Sequence, residues 1–172
     1  TLKLIDFHGQ KVTRVVHGEP YNLRVELDSA DRKFDLSNPL NDVTFLRFDL
    51  TAVSTMRIKN CFAFASSDTT HVELIDSSGC PTSSGLISNF AYNHSNYAAD
   101  TTIYKMFKFP EGGKMHLQCD AVICRGGCPT PVCDPDSVGY KSRNQPIDGY
   151  AQLSASTTVF VIEPNDELCK YN

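Results

Sequence analysis

The chain has 172 residues, of which 41% are hydrophobic and 21% are charged, and this composition is typical of a single globular domain. Its formal net charge of -4 argues against nucleic acid and anionic membrane surfaces as partners. No apolar run approaches the ~18 residues that a transmembrane helix needs, so we expect no membrane span within this fragment. Since the chain starts at Thr1 and shows no signal peptide, we expect it to be a piece of a longer precursor.

Turn residues divide the first half of the chain into short segments of β character. Residues 1–16 predict a first strand or linker with a kink at His8-Gly9. Clean alternation of apolar and polar residues predicts a half-buried strand from Tyr21 to Leu27, and the polar segment 28–42 that follows predicts a long loop. Three further strands are expected, at residues 43–50, 56–64 and 71–76.

The second half continues this pattern of short strands. Residues 89–100 are polar and predict a projecting loop, whereas 101–109 and 114–124 predict a hairpin. Residues 134–156 lack periodicity and predict a flexible connector, which is followed by a β-branched final strand at 157–163 and a tail at 164–172. Many short strands with almost no helical period predict an all-β fold, namely a β-sandwich.

The strand at 114–124 and the cysteines that follow it organise the rest of the chain. Alternation places Met115, Leu117, Cys119, Ala121 and Ile123 on one face, and His116, Gln118, Asp120 and Val122 on the other. Glycines and prolines beyond this strand favour turns and do not continue the pairing of strands. We therefore expect a core strand that runs into a cross-linked cap formed by Cys119, Cys124, Cys128 and Cys133.

The chain has seven cysteines, which indicate either disulfides in a secreted protein or a metal site. Four thiolates could hold zinc, but the cluster contains no Cys-x-x-Cys pair, and zinc would leave Cys61 and Cys80 unexplained. We therefore predict a secreted, disulfide-bonded chain without a metal or cofactor. The odd cysteine is Cys169, which we expect to pair outside this fragment, to bridge two chains or to remain free.

Asn93-His94-Ser95 is an acceptor sequence for N-linked glycosylation, and Asn93 is therefore the predicted glycan site. The alternative is a chance triplet that stays unused. The histidines are scattered with no nucleophile elbow nearby, so a hydrolase is not expected and the chain is predicted not to be an enzyme. A solvated side chain is the better explanation for each of them, namely His8, His17, His71, His94 and His116.

Four segments of the chain form a recognisable set of sequence motifs in a fixed order. They are Met56-Arg-Ile-Lys-Asn-Cys61-Phe-Ala, Leu74-Ile-Asp-Ser-Ser-Gly-Cys80-Pro81, Met106-Phe-Lys-Phe-Pro110 and Leu117-Gln-Cys119. This set resembles the C-terminal half, called ZP-C, of the zona pellucida (ZP) module. The resemblance covers residues 12–133 and implies an immunoglobulin-like β-sandwich. The segments around Cys61 and Cys80 look most like those of invertebrate cuticle and lumen-matrix members. The family's N-terminal half, ZP-N, is missing from this chain.

The resemblance implies a disulfide pairing, which the sequence alone would leave open. In six-cysteine members of the family, the pairing corresponds to Cys61–Cys119, Cys80–Cys133 and Cys124–Cys128. The first two disulfides would close large loops, each worth ~3–4 kcal/mol in the chain-entropy model. The third would close only a short loop whose glycines permit tight geometry.

The resemblance also implies a role for the final strand. In the family, an apolar segment after the cysteine cluster, the external hydrophobic patch, keeps the precursor from polymerising until proteolysis releases it. The residues that match it are Val159, Phe160, Val161 and Ile162. They can equally be the last strand of the sandwich, and both roles can hold. Release requires a cut after Cys133, where the candidate region holds Lys141 and Arg143 but no Arg-x-x-Arg site. Residues 2–7 would correspond to the linker and internal patch.

Together, these implications predict a structural extracellular-matrix protein that takes part in assembly or polymerisation of an apical or luminal matrix, regulated by removal of the C-terminal hydrophobic strand. The expected partners are other ZP-module chains, of the same or another kind, matrix proteins and the chain's own ZP-N half. The expected location is extracellular, in an apical matrix, after release from a precursor that can be membrane-anchored. The alternative is a ligand-binding ZP-C module of a membrane co-receptor.

Overall fold

The computed structural model describes residues 1–27, 55–66, 70–83, 85–93, 95, 97–124, 127–133 and 149–165. Two predicted elements, the loop at 28–42 and the strand at 43–50, lie outside the described residues. The same holds for the first part of the predicted connector, up to residue 148, and for the tail from residue 166 onward. Among the described residues no helix is long and apolar enough to cross a membrane.

The described residues form ten strands in two five-stranded sheets. In chain order the strands are β1 (Leu2–Ile5), β2 (Lys11–Val12), β3 (Arg14–Val16), β4 (Tyr21–Glu26), β5 (Thr55–Phe64), β6 (His71–Ile75), β7 (Ala91–Asn93), β8 (Ala98–Ile103), β9 (Lys114–Cys124) and β10 (Gly149–Ile162). The first sheet has the order β2-β1-β4-β8-β7, and the second has the order β3-β10-β9-β5-β6. The predicted all-β, immunoglobulin-like sandwich is confirmed.

The apolar faces of the two sheets pack together into one core. Leu4 and Leu23 of the first sheet and Ile58 and Leu117 of the second are fully buried. Burying a side chain of this kind stabilises the fold by about 1.5–3 kcal/mol. The predicted inner face of β9 is confirmed, because its five apolar residues, Met115, Leu117, Cys119, Ala121 and Ile123, are all buried in this core.

The N-terminal segment forms three strands on two sheets, so the single kinked strand that the sequence predicts is wrong. The Asp6 carboxylate accepts hydrogen bonds from the N–H groups of His8 and Gln10, at 2.9 and 2.8 Å, and thereby closes a turn after β1. The chain then returns antiparallel to β1 as β2. It joins the second sheet as β3, which runs parallel to β10.

Residues 89–109 differ from the predicted loop and hairpin. The predicted loop contains β7 and the start of β8, because Tyr92 and Ala99 pack against the core. The predicted hairpin of 101–109 with 114–124 does not form, because β8 belongs to the first sheet and β9 to the second. Between them the chain is tied to the turn before β4, where the N–H of Met106 donates to the C=O of Glu19 at 2.9 Å.

The final strand begins at Gly149, well before the predicted start at Thr157, so the end of the predicted connector belongs to β10. In this early part Leu153 and Ala155 pack against the core, whereas Gln152, Ser154 and Ser156 are exposed. Small and polar residues give a weak strand signal on their own. Here the antiparallel ladder with β9 supplies the partner that composition cannot reveal.

Candidate assembly site

The candidate site is centred on β10, which lies inside the second sheet between β9 and β3. Its antiparallel ladder with β9 runs from Gly149 opposite Cys124 to Phe160 opposite Lys114, with an irregularity near its start. Its parallel ladder with β3 is confined to the C-terminal end, from Phe160 to Ile162. The two ladders overlap at Phe160, so the candidate patch spans the point where β10 passes from pairing with β9 to pairing with β3.

The candidate patch is divided between two faces of the sheet. Val159 and Val161 are buried in the core, with 0% and 3% of their surface exposed. Phe160 points the other way and is 49% exposed, and Ile162 is half-buried. Only the two valines thus contribute to the core, and the alternation of the strand explains why the four residues do not act as one apolar unit.

Three backbone hydrogen bonds fix the C-terminal end of β10. The N–H of Phe160 donates to the C=O of Thr13 at 2.8 Å, and the N–H of Val161 donates to the C=O of Gly113 at 2.7 Å. The N–H of His17 donates to the C=O of Ile162, also at 2.8 Å. A Cβ atom on Gly113 would lie 2.6 Å from the carbonyl oxygen of Val161, so this position needs glycine for the strand to approach.

An exposed carboxylate follows the end of β10 and is held by a lysine and a histidine side chain. The Oε1 atom of Glu163 lies 2.9 Å from Lys108 Nζ, and its Oε2 atom lies 3.2 Å from His17 Nδ1. The hydrogen bond from Lys108, and next that from His17, lower the pKa of Glu163. All three side chains are substantially exposed, so water and salt screen these pairs.

The structure contains three disulfides, in the pairs that the resemblance implies. The sulfur atoms are 2.08 Å apart in Cys61–Cys119, 2.00 Å in Cys80–Cys133 and 2.07 Å in Cys124–Cys128. The first joins the neighbouring strands β5 and β9. The other two join the segment that follows β9 to the turn after β6 and to the end of β9 itself. None of the three includes a residue of β10.

A β-bulge in β5 positions the first disulfide. The ladder between β5 and β9 shifts register between Lys59 and Phe62, and Asn60 adopts a left-handed conformation with φ of 51°. Its side-chain Nδ2 donates to Asp120 of β9 at 3.0 Å, which fixes the irregular backbone. An asparagine tolerates this conformation better than most residues. The extra residue lets Cys61 face the core, where its Cα lies 4.1 Å from that of Cys119.

Arg57 is a structural residue that the sequence does not point to. Its side chain is only 5% exposed, although Lys59 on the same face of β5 is half-exposed. The guanidinium donates to the C=O of Pro129 at 3.1 Å and also to the C=O of Ser78. Arg57 thereby connects the Cys80 turn to the segment after Cys128. No local pattern marks it, because both of its acceptors are backbone groups that are far away in the sequence.

Of the four remaining predicted site residues, one lies among the described residues and three do not. Asn93 is exposed at the end of β7. Lys141, Arg143 and Cys169 lie outside the described residues. Within the part of the chain that the structure describes, no group of three or more histidine, cysteine, aspartate or glutamate residues could hold a metal ion.

The two sheets and three disulfides define the class of a disulfide-linked β-sandwich. The family model for the zona pellucida ZP-C domain matches residues 29–134, a range that contains all six paired cysteines. The match covers more than half of the chain, so the chain belongs to this family. The family is extracellular and structural rather than enzymatic, and its modules interact with other ZP-module proteins. No curated protein sequence matches the chain. Because the family match ends before β10, the role of this strand has to be argued from its own contacts.

Proposed function

We propose that the chain is a structural component that assembles or polymerises an extracellular matrix, and that β10 is the strand whose removal permits assembly. This proposal rests on the position of β10, which is an inner strand of the second sheet that none of the three disulfides attaches. All six paired cysteines precede residue 134. A cut between residues 134 and 148 would therefore leave β10 outside these covalent links.

Loss of β10 would expose both hydrogen-bonding groups and apolar surface. β9 would gain a free edge along most of its length, and β3 would lose its partner. The core would also lose Val159 and Val161, each worth about 1.5–3 kcal/mol. This loss is comparable to the ~5–15 kcal/mol that stabilises a typical domain. A strand from another chain that entered the vacated position would restore both kinds of contact.

The N-terminal segment also contributes to this site. β3 is the part of residues 1–16 that pairs with β10, whereas β1 belongs to the other sheet. β3 is therefore a better candidate for the internal patch than residues 2–7. Release of β10 would leave β3 unpaired on that side and available to a new strand.

We infer an apical or luminal matrix, of the cuticle type, as the setting of this assembly. The inference is supported by the likeness of the segments around Cys61 and Cys80 to invertebrate cuticle and lumen-matrix members. The chain would be secreted from a membrane-anchored precursor and cut in the region of Lys141 and Arg143. Its partners would be other ZP-module chains, matrix proteins and its own ZP-N half.

A cleavable connector tests the proposal directly. Residues 140–144 are replaced by the recognition sequence of a specific protease, and the folded chain is cut after purification. We expect the cut chain to release β10 and form larger species in light scattering. We also expect excess synthetic peptide 149–165 to suppress this association, because the peptide fills the same position in the sheet.

Two peptides with a single charge serve as matched controls. In the first peptide Val161→Asp places a charge in the core position, and in the second Ser156→Asp places it on the exposed face. Only the second should suppress association. A cut chain that remains monomeric, or whose association responds equally to both peptides, would contradict the proposed role of β10.

A further inference from the structure

The edge strands of the two sheets differ in how they are protected against pairing with another sheet. Within the described residues the edges are β2 and β7 in the first sheet and β3 and β6 in the second. Three of them carry an exposed charged side chain, namely Lys11 in β2, Arg14 in β3 and Glu73 in β6. Charges on an edge strand oppose pairing with the edge of another sheet, because they would have to be desolvated there. β7 has no such charge.

The surroundings of β7 are uncharged over an unusually long stretch. No lysine, arginine, aspartate, glutamate or proline occurs between Thr82 and Ala99. The strand itself is Ala91-Tyr92-Asn93, which pairs only with β8 among the described strands. An edge without charge or proline is the kind that natural proteins otherwise avoid leaving open.

Tyr92 anchors this edge strand to the opposite sheet. Its hydroxyl oxygen accepts a hydrogen bond from the N–H of Ile58 in β5 at 3.1 Å, and burial raises the pKa of this hydroxyl. The anchoring turns Tyr92 inward, so that Ala91 and Asn93, its neighbours in the strand, are exposed. β7 is therefore a fixed edge whose outward side chains are small or polar.

Asn93 lies at the end of this edge in a geometry suited to modification. Its Oδ1 atom accepts a hydrogen bond from the N–H of Ser95 at 3.1 Å, which joins the two defining residues of the acceptor sequence. Its Nδ2 atom, to which a sugar would be attached, makes no hydrogen bond with any described residue. The residue between them in the sequence is not proline.

We propose that Asn93 carries an N-linked oligosaccharide and that this glycan shields β7 from pairing with the edge of a second copy of the chain. The donor is an oligosaccharide joined to a lipid diphosphate. In the transfer, a bond forms between Nδ2 and C1 of the first sugar, and the bond from C1 to the diphosphate oxygen breaks. The departing lipid diphosphate accepts the proton that Nδ2 loses. A bulky, solubilising group at this position supplies the protection that charges give to the other three edges.

The glycan would act on the sheet that does not contain β10. It would keep the first sheet from associating through β7 and leave the second sheet as the place where chains join. The glycan and its shielding effect do not depend on the removal of β10, so they can be tested on the uncut chain.

Occupancy of the site is tested by intact mass of the chain secreted from eukaryotic cells, before and after treatment with an endoglycosidase. We expect the wild type and the matched control Ser95→Thr, which preserves the acceptor sequence, to lose the mass of one oligosaccharide on treatment. Asn93→Gln and Ser95→Ala should show no loss. A wild-type chain without a glycan on Asn93 would overturn the proposal.

Shielding is tested by light scattering of the same four proteins over a range of concentrations. We expect both variants without the acceptor sequence to associate as concentration rises, and the two glycosylated proteins to stay monomeric. Adding Ala91→Lys to Asn93→Gln should restore the monomer, because it places a charge on the same exposed edge. Adding Gln118→Lys, on the exposed face of β9, should not.

Disulfide mapping of each variant verifies that Cys61–Cys119 and Cys80–Cys133 form, so that association of misfolded chains is recognised. Correctly paired variants that stay monomeric without the glycan would overturn the shielding role. So would association that Gln118→Lys relieves as well as Ala91→Lys does.

Discussion

Two neighbouring parts of the second sheet are held by different forces. The stapled region, which comprises β5, β6, β9 and the cysteine-containing segments up to Cys133, carries all three disulfides. The unstapled pair, β10 with β3, is held by backbone ladders, buried valines and an exposed ion pair. The difference teaches that one half of a sheet can be fixed by covalent links while the strand inserted beside it is held by non-covalent contacts.

Chain entropy accounts for the stability that the disulfides add to the stapled region. The sequence separations of 58 and 53 residues in Cys61–Cys119 and Cys80–Cys133 make each disulfide worth about 4 kcal/mol in the loop-closure model. Within the described residues β10 has no disulfide and depends on burial instead. The following five predictions test this difference between the stapled region and the unstapled pair, from the largest expected effect to the smallest.

Removing the disulfide between β5 and β9 should have the largest effect. We expect Cys61→Ala with Cys119→Ala to lower the free energy of unfolding by about 4 kcal/mol, measured by denaturant titration. The matched control is Cys124→Ala with Cys128→Ala, which opens a loop with a separation of only 4 residues and should cost about 2 kcal/mol. Equal losses in the two double variants would contradict the loop-length argument.

Arg57→Met should weaken the cap of the stapled region. The change leaves the carbonyls of Ser78 and Pro129 without their donor, and we expect a loss of about 3 kcal/mol. Cys80–Cys133 should also be reduced faster by a mild thiol, because the two segments that it joins lose their clamp. Lys59→Met, on the same face of β5, is the control and should change stability by less than about 0.5 kcal/mol. A similar loss in both variants would show that Arg57 is not a clamp.

Val159→Ala tests the burial that holds β10. Removing two methyl groups from a fully buried position should lower the free energy of unfolding by about 2 kcal/mol and, once the connector is cut, should speed the release of β10. Phe160→Ala removes a larger but half-exposed side chain and should have the smaller effect. The two effects are compared by denaturant titration and by the rate of peptide loss after cutting. The reverse order would place the binding energy of β10 on its outer face.

Gly113→Ala tests how closely β10 approaches the turn before β9. The new Cβ would lie 2.6 Å from the carbonyl oxygen of Val161, so β10 has to move. Overpacking of this kind is destabilising, but alanine also reduces the entropy of the unfolded chain, and we expect a net loss of about 1 kcal/mol by thermal unfolding. Gly85→Ala is the control, because a Cβ there meets no atom within 4 Å. No difference between the variants would argue against this contact.

Glu163→Gln should have the smallest effect and a distinct pH dependence. The Lys108 hydrogen bond, followed by that of His17, lowers the pKa of Glu163 in the folded chain below its ordinary value of 4.5. The stabilisation is therefore fully present above that ordinary value and is lost as the pH falls through the lowered pKa.

The check on Glu163 is thermal unfolding of both proteins at several pH values. The wild type should be slightly more stable at neutral pH, and the two proteins should converge in acid. Added salt should reduce the difference, because the pair is exposed. Glu19→Gln is the control, since the exposed Glu19 side chain makes no ion pair with a described residue. A difference that persists in acid would exclude this titration as its cause.

Local patterns in the sequence predict some parts of this fold well. The alternation from Lys114 to Cys124 predicts the buried face of β9 because a strand that is half-buried repeats every second residue. The same reasoning fails at residues 149–156, where alanine and serine alternate weakly. It also fails for residues 1–16, because a carboxylate-capped turn at Asp6 reverses a chain that reads as continuous.

The candidate site could be predicted only in part. The resemblance to ZP-C implies the cysteine pairs, and the apolar character of Val159–Ile162 points to the final strand. Neither indicates that Phe160 turns outward from the core, nor that Gly113 must be small for Val161 to approach. These features depend on which segments become neighbours, and the sequence contains no local signal for that.

The sequence by itself indicated the class of this protein through short alternating strands, turn residues between them and a cluster of cysteines that favours cross-linking. Each of these is a property of residues close together in the sequence, so it can be recognised without knowing which segments are in contact in the fold. The tertiary structure alone decided that β10 lies inside a sheet, that β7 is an edge strand among the described residues and that Arg57 joins two loops. Each of these depends on hydrogen bonds between residues far apart in the chain, which only the folded backbone brings within reach.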